Sequence, residues 1–336
     1  MSDRSERPMA AQDVPAPGSA GGADIATDDA GLHTPNEPAN EHHDYHDGSQ
    51  IVVRSQWQLF RRRFLRHKLA MGSLLFLAIV AIVAFNAERI APYGYADIDV
   101  IRRSTPPTLE GWHLFGTDQL GRDYFSRVIY GTRVSLQVAA VVAVVSTVIG
   151  TVIGAIAGYY RGWVDAFLMR FADLIIIVPL LAVLLIAAAF LGQGRPMRIA
   201  IIIALLVWPS LARIVRGVFL SLREKEYVQA ARAAGAGDLR IMFRHMLPNT
   251  MGPILVNMTL VLAAAILLEA TLAFLGQGVN PPTPALGLLI NDGRSSMQTQ
   301  WWLVVMPGLA IVAIALAINF VGDGLRDALD PTQQEK

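Results

Sequence analysis

Cysteine is absent from the 336 residues, and lysine occurs only at Lys68, Lys225 and Lys336. Without a thiol the chain forms no disulfide, thiolate nucleophile or cysteine-based metal centre, and its redox compartment leaves no mark on the sequence. No lysine follows a glycine, so the Gly-Lys-Ser/Thr ending of a phosphate-binding loop is missing and ATP cannot be held by that route. A Ser-His-acid pattern, a metalloprotease helix motif and a dinucleotide fingerprint are missing as well. His67, His113 and His245 stand singly and read as ordinary polar side chains. The sequence offers no catalytic residue, no metal site and no cofactor bound by this chain. Charge is scarce too: charged residues make up 16% of the chain and hydrophobic residues 53%, against about 25% charged in soluble domains. The charges gather between long apolar runs, the pattern of a polytopic membrane protein. The net charge of +1 sums an acidic tail and basic loops, and implies no nucleic-acid partner.

Residues 1–50 differ from everything that follows. They are rich in Asp, Glu, Pro, Gly and Ala, and carry Arg4 and Arg7 against ten acids, too little apolar surface to offset the entropy of ordering. They read as a disordered acidic tail, with no basic start and apolar core of a removable signal. His42, His43 and His46, interleaved with Glu41, Asp44 and Asp47, are either a weak divalent-cation cluster or part of a solvated tail.

Order is expected from Ile51. Over 51–68, Trp57, Phe60 and Phe64 recur at helical spacing among Arg61, Arg62, Arg63, Arg66 and Lys68, as in a helix lying among membrane-lipid headgroups. Residues 69–87 form a first spanning helix of about the length a bilayer requires, roughly twenty residues. Further spans are expected at Val134 to Gly158, Ala172 to Leu191, Ile199 to Val218, Pro253 to Leu275 and Leu303 to Val321. The fourth contains Trp208-Pro209 and Arg213. The organisation is then an all-α membrane protein: an external segment over 88–133, a core over 134–325 with a polar loop at 224–248, and a short C-terminus at 326–336.

An even number of spans puts both termini on one side, and the bias of Lys and Arg toward the cytoplasm says which. Arg61 to Lys68, Arg161, Arg170, Arg216, Arg223, Lys225, Arg232, Arg240 and Arg244 all fall on the side of the termini. The segment 88–133 opposes this bias with Arg89, Arg102, Arg103, Arg122, Arg127 and Arg133. Its acids Glu88, Asp97, Asp99, Glu110, Asp118 and Asp123 suggest a folded segment in which some of these arginines pair.

Within the spans, Gly150, Gly154 and Gly158 form a stripe at four-residue spacing that lets another backbone come close, a packing feature. Pro179, Pro209 and Pro307 each free a carbonyl and are either hinges or static bends. Glu269 is a lone carboxylate deep in an apolar run. Burying its charge costs a few kcal/mol or more, so it either serves a translocation path or hydrogen-bonds a neighbouring helix, where Asn257 and Asn319 show that polar groups are tolerated.

Between two apolar stretches lies Tyr227-Val228-Gln229-Ala230-Ala231-Arg232-Ala233-Ala234-Gly235, followed after nine residues by His245-Met246-Leu247-Pro248. An Ala-rich helix, a glycine turn, a second short helix and a terminating proline make a compact knob. This spacing resembles the EAA loop of ABC-type importer permeases, with Gln229 where an acid is usual and His245 where an aliphatic residue is usual. The run Leu114-Phe115-Gly116-Thr117-Asp118-Gln119-Leu120-Gly121-Arg122-Asp123, continuing to Leu136, resembles the segment leading into the second span of dipeptide and oligopeptide importer permeases. So do Phe274 to Pro284, despite Ala285 and Leu286 where an acid and a tryptophan are usual, and the ending Gly322 to Pro331.

The resemblance implies the second, C-type permease of a dipeptide or oligopeptide importer, with the six transmembrane helices of the type I ABC importer fold and a cytoplasmic coupling loop. Tyr227, Ala230, Ala231, Ala234, Gly235, His245, Leu247 and Pro248 would then meet the ATPase. Glu269 and Asn257 are the candidate pathway or intramembrane polar residues. The implied partners are a homologous permease, two cytoplasmic ATPases holding ATP and Mg, an external solute-binding protein and a peptide cargo, in a bacterial cytoplasmic membrane with both termini cytoplasmic. Nickel, glutathione or another small solute is an alternative cargo. An ion-coupled secondary transporter is a further rival, and an intramembrane enzyme lacks convergent catalytic groups.

Overall fold

The computed structural model describes residues 56–191 and 195–329. The acidic tail, its histidine cluster and the last residues, including Pro331 and Lys336, lie outside this range. All regular structure within it is helical, in the order α1 (Gln56–Arg66), α2 (Lys68–Phe85), α3 (Ala87–Ile90), α4 (Tyr124–Tyr160), α5 (Gly162–Ile177), α6 (Leu180–Leu191), α7 (Pro196–Arg223), α8 (Glu226–Ala233), α9 (Asp238–Ile241), α10 (Leu247–Phe274), α11 (Leu286–Gly293) and α12 (Trp302–Leu329). Among the described residues five helices are long and apolar enough to cross a membrane, or six if the bent pair α5–α6 counts as one span.

Local chemistry sets the helix ends. The Asp123 carboxylate accepts from the Ser126 N–H at 2.7 Å and caps α4, a contact worth about 1 kcal/mol. The His67 imidazole does the same for α2, its Nδ1 accepting from the Ala70 N–H. Helix α10 ends at Gly276 (φ +79°), where the Gly276 and Gln277 amides return to the Ala273 and Leu272 carbonyls.

Two expected spans change shape. The single span over Ala172 to Leu191 is broken: Val178 is extended (φ −73°, ψ 134°) ahead of Pro179, and α5 and α6 meet at 84°. Proline's ring disfavours the helical conformation of the residue before it, so the chain turns where hydropathy alone runs on. The second span begins at Tyr124, upstream of Val134, because its cap is Asp123. Arg127 and Arg133 therefore belong to this helix rather than to the loop before it.

The glycine stripe lies against α7. A Cβ on Gly150 would stand 2.8 Å from the Trp208 carbonyl, one on Gly158 2.6 Å from Phe219 Cβ, and one on Gly154 would strike the Ala212 carbonyl. Backbone-to-backbone approach of this kind gains dispersion contacts that lipid cannot match. Helix α10 packs on α4, α7 and α12, and α12 closes on α2 where Gly324 meets Ala70. Val138, Val142, Ile203, Ile266, Leu289 and Ile314 fill the core between them.

At one end, the 91–123 segment folds over the bundle. Trp302 Nε1 donates to the Thr117 carbonyl, and the Tyr124 hydroxyl reaches the Leu289 and Leu303 carbonyls. Arg127, 1% exposed, pairs with Asp118, which also holds Arg122 at 2.7 Å; Arg133 pairs with Glu88. The opposite end carries the junction of α1 with α12, where His67 faces Asp327 at 3.6 Å, and the segment from α8 to α9.

Candidate functional site

Helix α8, the turn at Gly235 and helix α9 stand where expected, but the second helix is not a short one ended at Pro248: Pro248 lies in the first turn of α10, where its missing N–H is tolerated. Helix α8 ends in a glycine cap: Gly235 takes φ +80°, its amide bonds the Arg232 carbonyl, and the Ala236 amide reaches back to Ala231. This pairing needs a left-handed residue after the helix, which glycine adopts at least cost. From Asp238 the chain is helical to Phe274, widened over Met242–Met246 into a π turn whose closing bond runs from the Leu247 amide to the Met242 carbonyl. Pro248 has no N–H for the carbonyl of Arg244, so the regular ladder cannot pass through this point. The Asn249 side chain takes the His245 carbonyl at 2.7 Å.

The knob has two faces. Val228, Ile241 and Met246 are fully buried and join Tyr159, Leu211, Val215 and Phe219 in a satellite core beneath it. Burying Val228 alone contributes about 1.5–3 kcal/mol. The opposite face is open: Ala230, Ala234, Gly235 and Pro248 are exposed, together with Tyr227, Leu239 (67%) and Phe243 (64%). Ala231, His245 and Leu247 sit half-buried at the boundary. Desolvation raises the Tyr227 phenol above its ordinary value, so it stays neutral and offers a hydroxyl. Arg232, Arg240 and Arg244 are exposed on the same knob. Apolar side chains fringed by cations, on a rigidly seated protrusion, suit a protein partner.

A clamp that the sequence did not reveal ties the knob to the bundle. The Tyr159 hydroxyl donates to Asp238 Oδ1 at 2.6 Å, and the guanidinium groups of Arg223 and Arg232 stand 5.9 and 5.6 Å from the Tyr159 ring. Arg223 also donates to the Tyr159 carbonyl at 2.7 Å. Nearby, Arg161 meets Glu224 and Arg216 holds Asp165 through both its Nε and a terminal nitrogen at 2.6 Å. The only hint in the sequence is the aromatic pair Tyr159-Tyr160 at a helix end, which points to no partner.

Glu269 lies elsewhere, fully buried between α10 and α4. Its Oε2 accepts from the Ser135 hydroxyl at 2.8 Å, while Oε1 is unpartnered. Asn257 is on the same helix, twelve positions earlier, roughly 18 Å along the axis. The structure does not bring the two together. Ser135 is the partner the sequence did not single out, since a serine in an apolar helix carries no label for a carboxylate on another.

A family model described as "Binding-protein-dependent transport system inner membrane component" matches residues 150–334, and one described as "N-terminal TM domain of oligopeptide transport permease C" matches residues 55–107. The chain is 41% identical over 282 residues to the oligopeptide transport system permease protein OppC of Escherichia coli (strain K12), covering 84% of this chain and 93% of that protein. It is equally similar, 41% over 282 residues, to the glutathione transport system permease protein GsiD of Escherichia coli O6:K15:H31 (strain 536 / UPEC), covering 83% of this chain and 91% of that protein. GsiD of Shigella flexneri serotype 5b (strain 8401) is 42% identical over the same length and coverage.

Proposed function

The chain belongs to the family of binding-protein-dependent transport system inner membrane components, and on that footing we propose that it is one of two permease subunits of an ATP-driven importer for a peptide-like solute. Its place is the bacterial cytoplasmic membrane, with α1, the α8–α9 knob and the end of α12 on the cytoplasmic side. The density of Lys and Arg at that end supports this orientation. The partners are a homologous permease, two ATPase subunits that hold ATP and Mg, and an external solute-binding protein.

The observation that carries this reading is the seating of the knob. Its outer face is open for a partner, its underside is locked into the bundle, and its second half runs without a break into α10. A push by an ATPase on the Tyr227–Phe243 face therefore travels along α10 as a rigid helix and, through the packed α4–α7 pair, reorients the spans around the path. Glu269 and Ser135 hold α10 to α4 while this happens. A fully enclosed carboxylate presents nothing to a passing solute, which favours a structural role over a pathway role.

Reconstitution tests the proposal: uptake into proteoliposomes should require the ATPase subunits and ATP, and should not follow an imposed proton or sodium gradient. Gradient-driven uptake without the ATPases would make the chain a secondary transporter. Oligopeptide and glutathione are both peptides, and similarity favours neither; competition between labelled glutathione and a labelled pentapeptide in the same vesicles decides between them.

A further inference from the structure

The 91–123 segment bounds an open cavity of about 450 Å³ lined by Tyr93, Asp97, Asp99 and His113, with the exposed Ile98 and Ile101 at its rim. His113 is 1% exposed. Its ring stacks on Tyr93 with centroids 5.0 Å apart, and the Tyr93 hydroxyl is tied to the Gly111 carbonyl at 2.6 Å, so the imidazole is held in one orientation. Nδ1 lies 2.8 Å from Asp123 Oδ1, while the other oxygen of that carboxylate accepts from the Ser126 amide. A carboxylate that accepts on both oxygens requires a proton on Nδ1, which leaves Nε2 as the remaining polar atom of the ring. That Nε2 is buried and has no partner.

The other open valences around it are of the same kind. Asp99 uses Oδ1 for the Ile101 and Arg102 amides, leaving Oδ2 4.0 Å from His113 Nε2. Asp97 uses Oδ2 for the Gly94 amide and keeps Oδ1. Arg102 lies against Gly111 and forms no ion pair with these carboxylates. The cavity thus combines two carboxylate oxygens without a protein hydrogen bond, a buried unpartnered ring nitrogen, an aromatic face and an aliphatic rim. Among the described residues no group of His, Asp and Glu is arranged to hold a metal ion; a cationic group with donors and no acceptor complements this lining.

We propose that this cavity binds a primary ammonium group on an aliphatic stem, as borne by a lysine side chain or by an amine-bearing solute. The inference does not depend on which solute the importer carries.

The test uses the full chain in its assembled complex, in lipid nanodiscs, with 15N-labelled histidine. The His113 Nε2 resonance is identified by its loss in His113→Asn. Titration with Nα-acetyl-lysine N-methylamide should shift this resonance saturably, and the Nε-acetylated probe should leave it in place. Asp99→Asn keeps an oxygen for the Ile101 and Arg102 amides, so the segment should stay folded; affinity for the probe should fall at least tenfold. An equal shift with the acetylated probe, or unchanged affinity in Asp99→Asn, overturns the proposal. Two further arms identify the source of the ammonium: saturating probe that weakens capture of the solute-binding protein points to a lysine on that partner, and probe that instead slows uptake points to the solute.

Discussion

Tyr159, in the last turn of α4, donates its hydroxyl to Asp238, the first residue of α9, across 79 positions of sequence at 2.6 Å. This bond and the arginines flanking the same ring fix the angle at which the knob leaves the bundle.

Tyr159→Phe keeps the ring between Arg223 and Arg232 and removes only the hydroxyl, at a cost of about 1 kcal/mol. Assembly with the ATPases should survive while solute uptake per ATP hydrolysed falls several-fold. Both rates, measured in the same proteoliposomes, check this; a wild-type ratio would show that the clamp plays no part in coupling.

Gly235→Val should leave the spans inserted but weaken ATPase capture. Nothing lies within 4 Å of a Cβ at this position, so the penalty comes from the backbone: a β-branched residue at φ +80° costs about 1–2 kcal/mol, enough to displace the cap and the turn it closes. Co-purification of the ATPases reads the outcome. Full recovery together with normal uptake would remove this loop from the contact.

On the α4–α7 face, Gly154→Leu inserts a side chain where the Ala212 backbone already sits. Overpacking of this kind costs about 1–3 kcal/mol, so the purified subunit should lose heat stability. The control is Gly217→Leu, on the facing helix α7, where a Cβ meets nothing within 4 Å. Equal melting temperatures for the two variants would contradict the packing role of the stripe.

Glu269→Gln retains an oxygen for the Ser135 hydroxyl and abolishes the charge. Uptake should stay near wild type over a broad pH range, whereas Glu269→Leu, which strands that hydroxyl, should lower the melting temperature. A changed solute preference in Glu269→Gln would return this residue to the translocation path.

Much of the chain was legible because membrane burial imposes simple rules. A run such as Leu69 to Ala87 has to be a helix, since lipid offers no partner for an open backbone. The Ala-rich turn at Gly235 and the stripe at Gly150, Gly154 and Gly158 were equally readable, because they act through local geometry and fixed periodicity. Pro179 reads in sequence as a hinge or a static bend, and a bend is what stands there, but its size, 84° between α5 and α6, breaks the span that hydropathy runs as one. Hydropathy sums over a window and is blind to a single backbone torsion.

The sequence by itself determined that this is a helical membrane protein whose residues spell no phosphate-binding-loop motif, and that a polar knob lies between two of its spans. Those properties follow from composition, periodicity and motif spacing along one stretch of chain. Tertiary structure alone decided that Tyr159 holds the knob, that Ser135 answers Glu269, and that His113 turns an unpartnered ring nitrogen into an acidic cavity. Each of these joins residues far apart in sequence, and a hydrogen bond depends on distances of a few tenths of an ångström that no linear pattern encodes.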